Sequence, residues 1–292
     1  MTVISIQSQV AWGHVGNSAA VFPMQAHGID VTAVPTTLLS NRPGYETIRG
    51  RVLDVQLVAD LLRGIEERGA VDGAKMILSG YLGSADIAQE VAEFVTRAKA
   101  NHPALLYCCD PVLGDRDGGL FVRPDIPPLV RDELCPLADI ITPNHFELEW
   151  LCGAPATTID EVIAQARTLI ARGPSTVIVT SAELAGTPDD AIETLAIERT
   201  KAWRVRTPRL PISPNGTGDL FAALFVSARV RGSETPDALS HAASAVFAVL
   251  ERTALRGTEE MRIVESAAEL VHPKRRFEAE AITAAQHQGQ TS

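Results

Sequence analysis

Short contiguous apolar runs alternate with longer stretches in which apolar residues return every three or four positions, and the alternation repeats along most of the chain. TVISIQS (residues 2–8) predicts a strand, followed by a loop and a helix over 17–27. IDVTAVPTTLL (29–39) predicts the next strand, and VLDVQLVADLLRGIEERG (52–69) has the spacing of an amphipathic helix. Then come strand and loop in AKMILSGYLGS, a helix in ADIAQEVAEFVTRAKA, and strand and loop in ALLYCCDPVLGD. ADIITPNHFELEWLCG repeats the strand–loop–helix plan; after a helix in IDEVIAQARTLIARG, STVIVTS is another buried strand bounded by turn residues.

Parallel strands need long crossovers and bury both faces, so this alternation predicts an α/β fold with a mostly parallel sheet and helices on both sides. ETLAIERTKAWRVRTPRL (193–210) departs from it, alternating apolar and charged residues as a hairpin at the sheet edge would. From Thr217 onward, through DALSHAASAVFAVLERT and MRIVESAAELV, the pattern is helical. With no internal repeat and no linker, the expectation is one domain over 1–280 and a polar tail over 281–292 that frays. In open α/β sheets ligands bind beyond the carboxyl ends of the strands, where every polar cluster of this chain falls.

The 292 residues are 46% hydrophobic and 21% charged, as in an ordinary globular protein. A formal net charge of −10 argues against nucleic acid or an anionic membrane as partner. Handling an anionic ligand therefore calls for local devices such as glycine loops or metal ions. MTVISIQSQV lacks the basic and long apolar segments of a secretory signal, and no run approaches the roughly 18 apolar residues of a membrane span. Cys108, Cys109, Cys135 and Cys152 show no metal-ligand spacing, and Cys108 and Cys109 end an apolar run as buried free thiols would. A cytoplasmic location is the expectation.

Three clusters carry candidate chemistry. In SPNGTGDLFAALF, Gly216 and Gly218 permit positive φ and close approach of backbone to ligand, and Asp219 opens an apolar helix. Amides and helix dipole then converge on a volume suited to a phosphoryl group in transfer, with Asp219 able to accept a proton from an attacking hydroxyl. A plain turn with Asp219 at the helix cap fits the same letters. In CDPVLGD, Asp110 and Asp115 follow a strand, where two carboxylates can hold Mg²⁺ beside phosphates, or simply form an Asp-Pro turn and a solvated side chain. In TPNHFELE, Asn144 and Glu147 match a capping arrangement, while Glu147 could also orient a metal's water shell. With the strand-end Thr142 and Thr180, these clusters together suggest a phosphotransferase.

The motifs SIQSQVAWGHVGNSAAVFPMQAHG, LSNRPGY, LSGYLGS, CDPVLGD, ADIITPNHFELE, VIVTS and NGTGDLFAALF resemble those of the pyridoxal kinases of the ribokinase-like superfamily, and the likeness covers nearly the whole chain. G-T-G-D and N-x-x-E are common to the superfamily; the run from Ser5 to Gly28, with SGYLGS, is specific to pyridoxal kinases. The resemblance implies a ribokinase-like three-layer sandwich that transfers the γ-phosphoryl of ATP to the 5′-hydroxymethyl of pyridoxal, in a homodimer. It implies Asp219 as general base, the amides of Asn215, Gly216, Thr217 and Gly218 as anion hole, and Ser8, Pro43, Gly44 and Tyr81 around the substrate. Asp115 and Glu147 match positions associated with Mg²⁺ and ATP, and Asp110, Thr142 and Thr180 a monovalent cation site, taken as K⁺. Thr207, Pro208, Arg209 and Leu210 fall where relatives line the adenine side. Many relatives read S-N-H-T-G/Q-Y where this chain reads SNRPGY, so Pro43 replaces a threonine hydroxyl and leaves backbone contacts over the substrate. The rivals are a hydroxymethylpyrimidine kinase and a non-catalytic B6-binding protein.

Overall fold

Val3, Ile4 and Ile6, on both faces of the first strand, are fully buried, as a central parallel strand requires. The computed structural model describes residues 1–283. Its first half comprises β1 (Thr2–Val10), α1 (Asn17–Ala26), β2 (Asp30–Leu39), β3 (Gly50–Val52), α2 (Val55–Glu67), β4 (Ala74–Ser79), α3 (Ala85–Asn101) and β5 (Leu106–Cys109). A small flap, β6 (Gly114–Asp115) and β7 (Gly119–Leu120), leads through the short α4 (Ile126–Leu129) and α5 (Cys135–Leu137) to β8 (Ile140–Ile141) and α6 (His145–Cys152). Then follow α7 (Ile159–Ile170), β9 (Thr176–Ala182), β10 (Ala191–Glu198), β11 (Ala202–Pro208), α8 (Thr217–Val230), α9 (Thr235–Arg256), α10 (Ala267–Val271) and β12 (Glu280–Ala281).

The main sheet runs β12-β11-β10-β9-β8-β5-β4-β1-β2-β3. Its middle, from β2 to β9, is parallel, and antiparallel strands close both ends. The helices divide between two cores. Val58 and Leu62 of α2, Val91 and Phe94 of α3 and Val162 of α7 pack on one face; Ala20 of α1, Leu224 of α8 and Ala242 of α9 pack on the other. The expected three-layer α/β sandwich with its β10–β11 edge hairpin is therefore present.

Three elements went beyond the sequence pattern. β3 and the β6–β7 flap are too short to leave a periodicity, and β12 is held by its neighbour. The free edge of β11 takes up residues 280–282, with Trp203 opposite Ala281 and the Ile282 amide donating to the Ala202 carbonyl at 2.8 Å. The expected frayed tail thus does not begin at 281, and its remainder, 284–292, lies outside the described residues. Among the described residues, no helix is long and apolar enough to cross a membrane.

Candidate active site

The parallel ladder continues one or more residues past the strands, and this fixes the polar groups beyond them. The Asp110 amide donates to the Ser79 carbonyl at 2.9 Å, Thr142 to Cys109 at 3.1 Å and Thr180 to Pro143 at 3.0 Å. Thr142 Oγ1 in turn donates to an Asp110 carboxylate oxygen at 3.0 Å. Asp110 and Thr142, just past β5 and β8, and Thr180, in the second half of the adjacent β9, are the three residues for which the resemblance implies one cation site.

Glu147 does what its N-x-x-E spacing predicts and more. The Asn144 side chain accepts from the Glu147 amide at 2.9 Å, and Glu147 accepts from the Asn144 amide at 2.9 Å, completing a capping box on α6. Its other oxygen accepts from the Leu113 amide at 2.7 Å, tying down the loop before the flap. Asp115 is exposed and accepts from the Gly118 amide within the flap turn.

The glycine cradle resolves differently at its two glycines. Gly216 is left-handed, with φ at 84°, and caps α8; a Cβ there would overlap the His14 carbonyl oxygen. Gly218 is already helical with open space beside it, so the expected positive φ applies at Gly216 only. Asp219 sits in the first turn of α8, where the dipole favours a negative charge. Burial raises its carboxyl above the ordinary value, and a hydrogen bond from the Gly16 amide works in the opposite direction.

Between the strand ends and the cradle lies a cavity of about 380 Å³. Asp110, Asp115, Glu147 and Asp219 line it, and no lysine or arginine does. The cost of gathering negative charge is visible in the carboxyls. Asp110 is driven well up by burial and by the charges of Glu147 and Asp219. Glu147 is pushed up to about 7, chiefly by burial. A site of this kind favours cations and leaves the N-terminus of α8, backbone amides and neutral side-chain donors such as Asn215 and Thr217 to meet an anion.

A pH test follows. Since the folded-state pKa of Glu147 is raised from 4.5 to about 7, its contribution to stability is full below 4.5 and is lost as pH rises through about 7. The melting temperature of Glu147→Gln, relative to the wild type, is therefore expected to shift in the variant's favour between about pH 5 and pH 8. Scanning calorimetry of both ligand-free proteins measures this; a constant offset would refute the shifted carboxyl.

Of the other expected residues, Thr142, Thr180, Asn215, Thr217, Thr207, Pro208 and Leu210 line the cavity, whereas Arg209 is exposed and does not. Ser8 is buried at the end of β1, close enough to Gly16 that a Cβ on that glycine would press on its hydroxyl. The Tyr81 carbonyl accepts from Thr36 Oγ1 at 2.7 Å, at the ends of β4 and β2, and Pro43 and Gly44 form an exposed turn. These four stand outside the cavity itself. Sequence reasoning missed Val112 and Ser181, which line the cavity with left-handed φ of 47° and 49°, and the apolar wall of Val246, Phe247 and Leu250 on α9. A strained valine leaves no letter-level signal, and the α9 wall reads in sequence as ordinary helix core.

Residues 15–263 match the family model described as phosphomethylpyrimidine kinase. A pyridoxal kinase of Corynebacterium diphtheriae is 46% identical over 285 residues, covering 97% of this chain and 100% of that relative. Among solved structures, the pyridoxal kinase from Leishmania donovani in complex with ADP and pyridoxamine aligns with a TM-score of 0.90 at 29% identity, covering 97% of this chain and 99% of that one. A putative phosphomethylpyrimidine kinase from Bacteroides thetaiotaomicron aligns at 0.88 and 26% identity, covering 96% and 97% of the two chains. Fold and cradle together therefore define the class, a kinase of the ribokinase-like superfamily. The shape is shared by structures of both descriptions; the near full-length identity to pyridoxal kinases is what separates them. The chain belongs to the pyridoxal kinase family.

Proposed function

We propose that this protein transfers the γ-phosphoryl group of ATP to the 5′-hydroxymethyl group of pyridoxal, giving pyridoxal 5′-phosphate in vitamin B6 salvage. The observation that carries this is the placement of Asp219. A carboxyl raised by burial stands at the N-terminus of α8, at the end of a cavity large enough for part of a nucleotide. The apolar side formed by Leu210, Val246, Phe247 and Leu250, with Thr207 and Pro208, suits an adenine ring. The phosphates would then extend toward the amides of Asn215 to Gly218. Ser8, Tyr81 and the backbone of Pro43 and Gly44 would hold the pyridine ring on the far side of Asp219. Asp219 removes the hydroxyl proton as attack proceeds, and positioning plus charge stabilisation supplies most of the rate.

The acidic lining fits bound cations. Among the described residues no group of three or more His, Cys, Asp or Glu can hold a metal by itself. That suits Mg²⁺, which takes one or two carboxylates and completes its shell with water and phosphate. Asp115 and Glu147 would face Mg²⁺, and Asp110, Thr142 and Thr180 a monovalent cation, assigned as K⁺. When bound, these ions neutralise charge on the phosphates where no lysine or arginine does. We place the protein in the cytosol, in keeping with its four free thiols. We assign it a homodimer through the β2–β3 edge and α2, where Leu38, Ile48, Leu57 and Leu61 are exposed apolar residues.

The deciding experiment is ATP-dependent formation of pyridoxal 5′-phosphate, with Mg²⁺ and K⁺ varied separately. Turnover that needs both ions is the expected result. Preferred turnover of hydroxymethylpyrimidine would move the assignment to that alcohol. Tight binding of pyridoxal 5′-phosphate without ATP turnover would instead mark a storage or delivery protein.

A further inference from the structure

Glu260 lies between α9 and α10, outside every motif of the sequence analysis, and its side chain is 14% exposed. Its carboxylate accepts from Arg42 Nε at 2.9 Å, from the Tyr45 hydroxyl at 2.6 Å and from the His14 amide at 3.1 Å. These donors belong to two separate loops. Arg42 and Tyr45 flank Pro43 and Gly44, the turn expected over the substrate. His14 belongs to the loop between β1 and α1, whose carbonyl packs against Gly216 and whose Gly16 amide bonds Asp219. One carboxylate therefore fastens the acceptor's cover to the wall behind the base.

The surroundings are built for this contact. Arg42 has only 10% of its side chain exposed, donates from Nη1 to the Pro43 carbonyl at 3.1 Å, and lies 4.4 Å from the centre of the Tyr45 ring. Gly13 is left-handed, at φ +96°, and a Cβ there would come 2.7 Å from Glu260 Oε2. Burial and the bond to Glu260 push the Tyr45 phenol up to about 12, so it remains a donor at neutral pH. The next residue, Met261, is buried with its Sδ 3.9 Å from Thr217 Oγ1, so the same segment also touches the cradle.

We propose that Glu260 is a positioning residue for phosphoryl transfer, holding the 41–49 loop against the 12–16 loop so that the acceptor hydroxyl is presented to Asp219. This rests on the pyridoxal kinase reading. Without Glu260, Arg42 keeps its contacts within the 41–49 loop and the longer ion pair with the exposed Glu259, at 3.6 Å, but the cover loses its tie to the 12–16 loop. A displacement of about 1 Å at a reacting centre costs roughly 100-fold in rate.

The test is steady-state kinetics on the full chain for wild type, Glu260→Ala, Glu260→Gln, Tyr45→Phe, Arg42→Ala and the Glu260→Ala/Arg42→Ala pair, with melting temperatures alongside. Glu260→Ala is expected to lower kcat/KM for pyridoxal roughly 10- to 100-fold, with KM for pyridoxal rising and KM for ATP moving less than about twofold. Glu260→Gln, which keeps an acceptor but not the charge, should fall between, and the double variant should lose little beyond Glu260→Ala alone. A fall in melting temperature with KM for pyridoxal unmoved would overturn the proposal and leave only a structural clasp. If Glu260→Ala does not fold, Tyr45→Phe decides: a raised KM for pyridoxal supports the proposal, and an unchanged one overturns it. A wild type that turns over no B6 vitamer overturns the kinase reading and this inference together; an active wild type with unmoved variants overturns the inference alone.

Discussion

Replacing Asp219 by alanine is expected to lower kcat by about 10²- to 10⁴-fold, the usual contribution of a positioned acid–base group, while pyridoxal still binds. At 1.36 kcal/mol per factor of ten this is about 3–5 kcal/mol of transition-state stabilisation. The geometry supports so large a loss. Asp219 lies in the first turn of α8 at the cavity's end, and no lysine or histidine among the lining residues stands ready to replace it. Stability should move the other way. A carboxyl whose folded-state pKa is raised contributes stability below its ordinary 3.8 and loses that contribution as pH rises. At neutral pH the ligand-free Asp219→Asn protein is therefore expected to melt no lower than wild type, even as activity collapses. Turnover and calorimetry on the same preparations measure both, and turnover surviving in Asp219→Ala would remove it as the base.

The second large effect is expected at Gly216. Alanine would have to adopt φ near 84° and place its Cβ against the His14 carbonyl, a backbone atom that cannot swing aside. The left-handed conformation alone costs about 1–2 kcal/mol. Relief of the clash would shift either α8's first turn or the 12–16 loop, and with them both the anion cradle and Asp219. We expect Gly216→Ala to lose on the order of 2 kcal/mol of stability and roughly 100-fold or more in kcat. Gly218→Ala is the control: open space surrounds that position within the helix, so stability should hold or rise by up to about 1 kcal/mol. Any loss of activity there would come from a methyl group at the phosphate cradle. Equal destabilisation of the two variants would refute the distinction.

Much of this protein was legible along the chain. Val, Ile and Leu runs joined by helix-length periodic segments allow few architectures, because a strand buried on both faces must have helices above and below it. The cluster letters were equally informative: Asn144 and Glu147 form the capping box that their spacing required, and Asp110, Thr142 and Thr180 all lie where strand ends put them. Short pieces stayed hidden. β3, the flap and β12 have two or three residues each and exist because a neighbouring edge offers hydrogen-bond partners, which the local sequence does not record.

The sequence by itself determined the layers, the strand-end position of the chemistry and the family motifs, since each depends on residues close together in the chain or on period. Tertiary structure alone decided which of two neighbouring glycines is strained, because that depends on His14 lying against Gly216 from about 200 positions away. It also decided that Asp110, Glu147 and Asp219 share one buried volume, where burial and the charges of Glu147 and Asp219 raise the carboxyl of Asp110, an effect of distance and desolvation that a list of acidic residues cannot contain. Glu260 is the clearest case: an unremarked glutamate in a loop becomes the meeting point of two others only when the fold brings Arg42, Tyr45 and His14 to it.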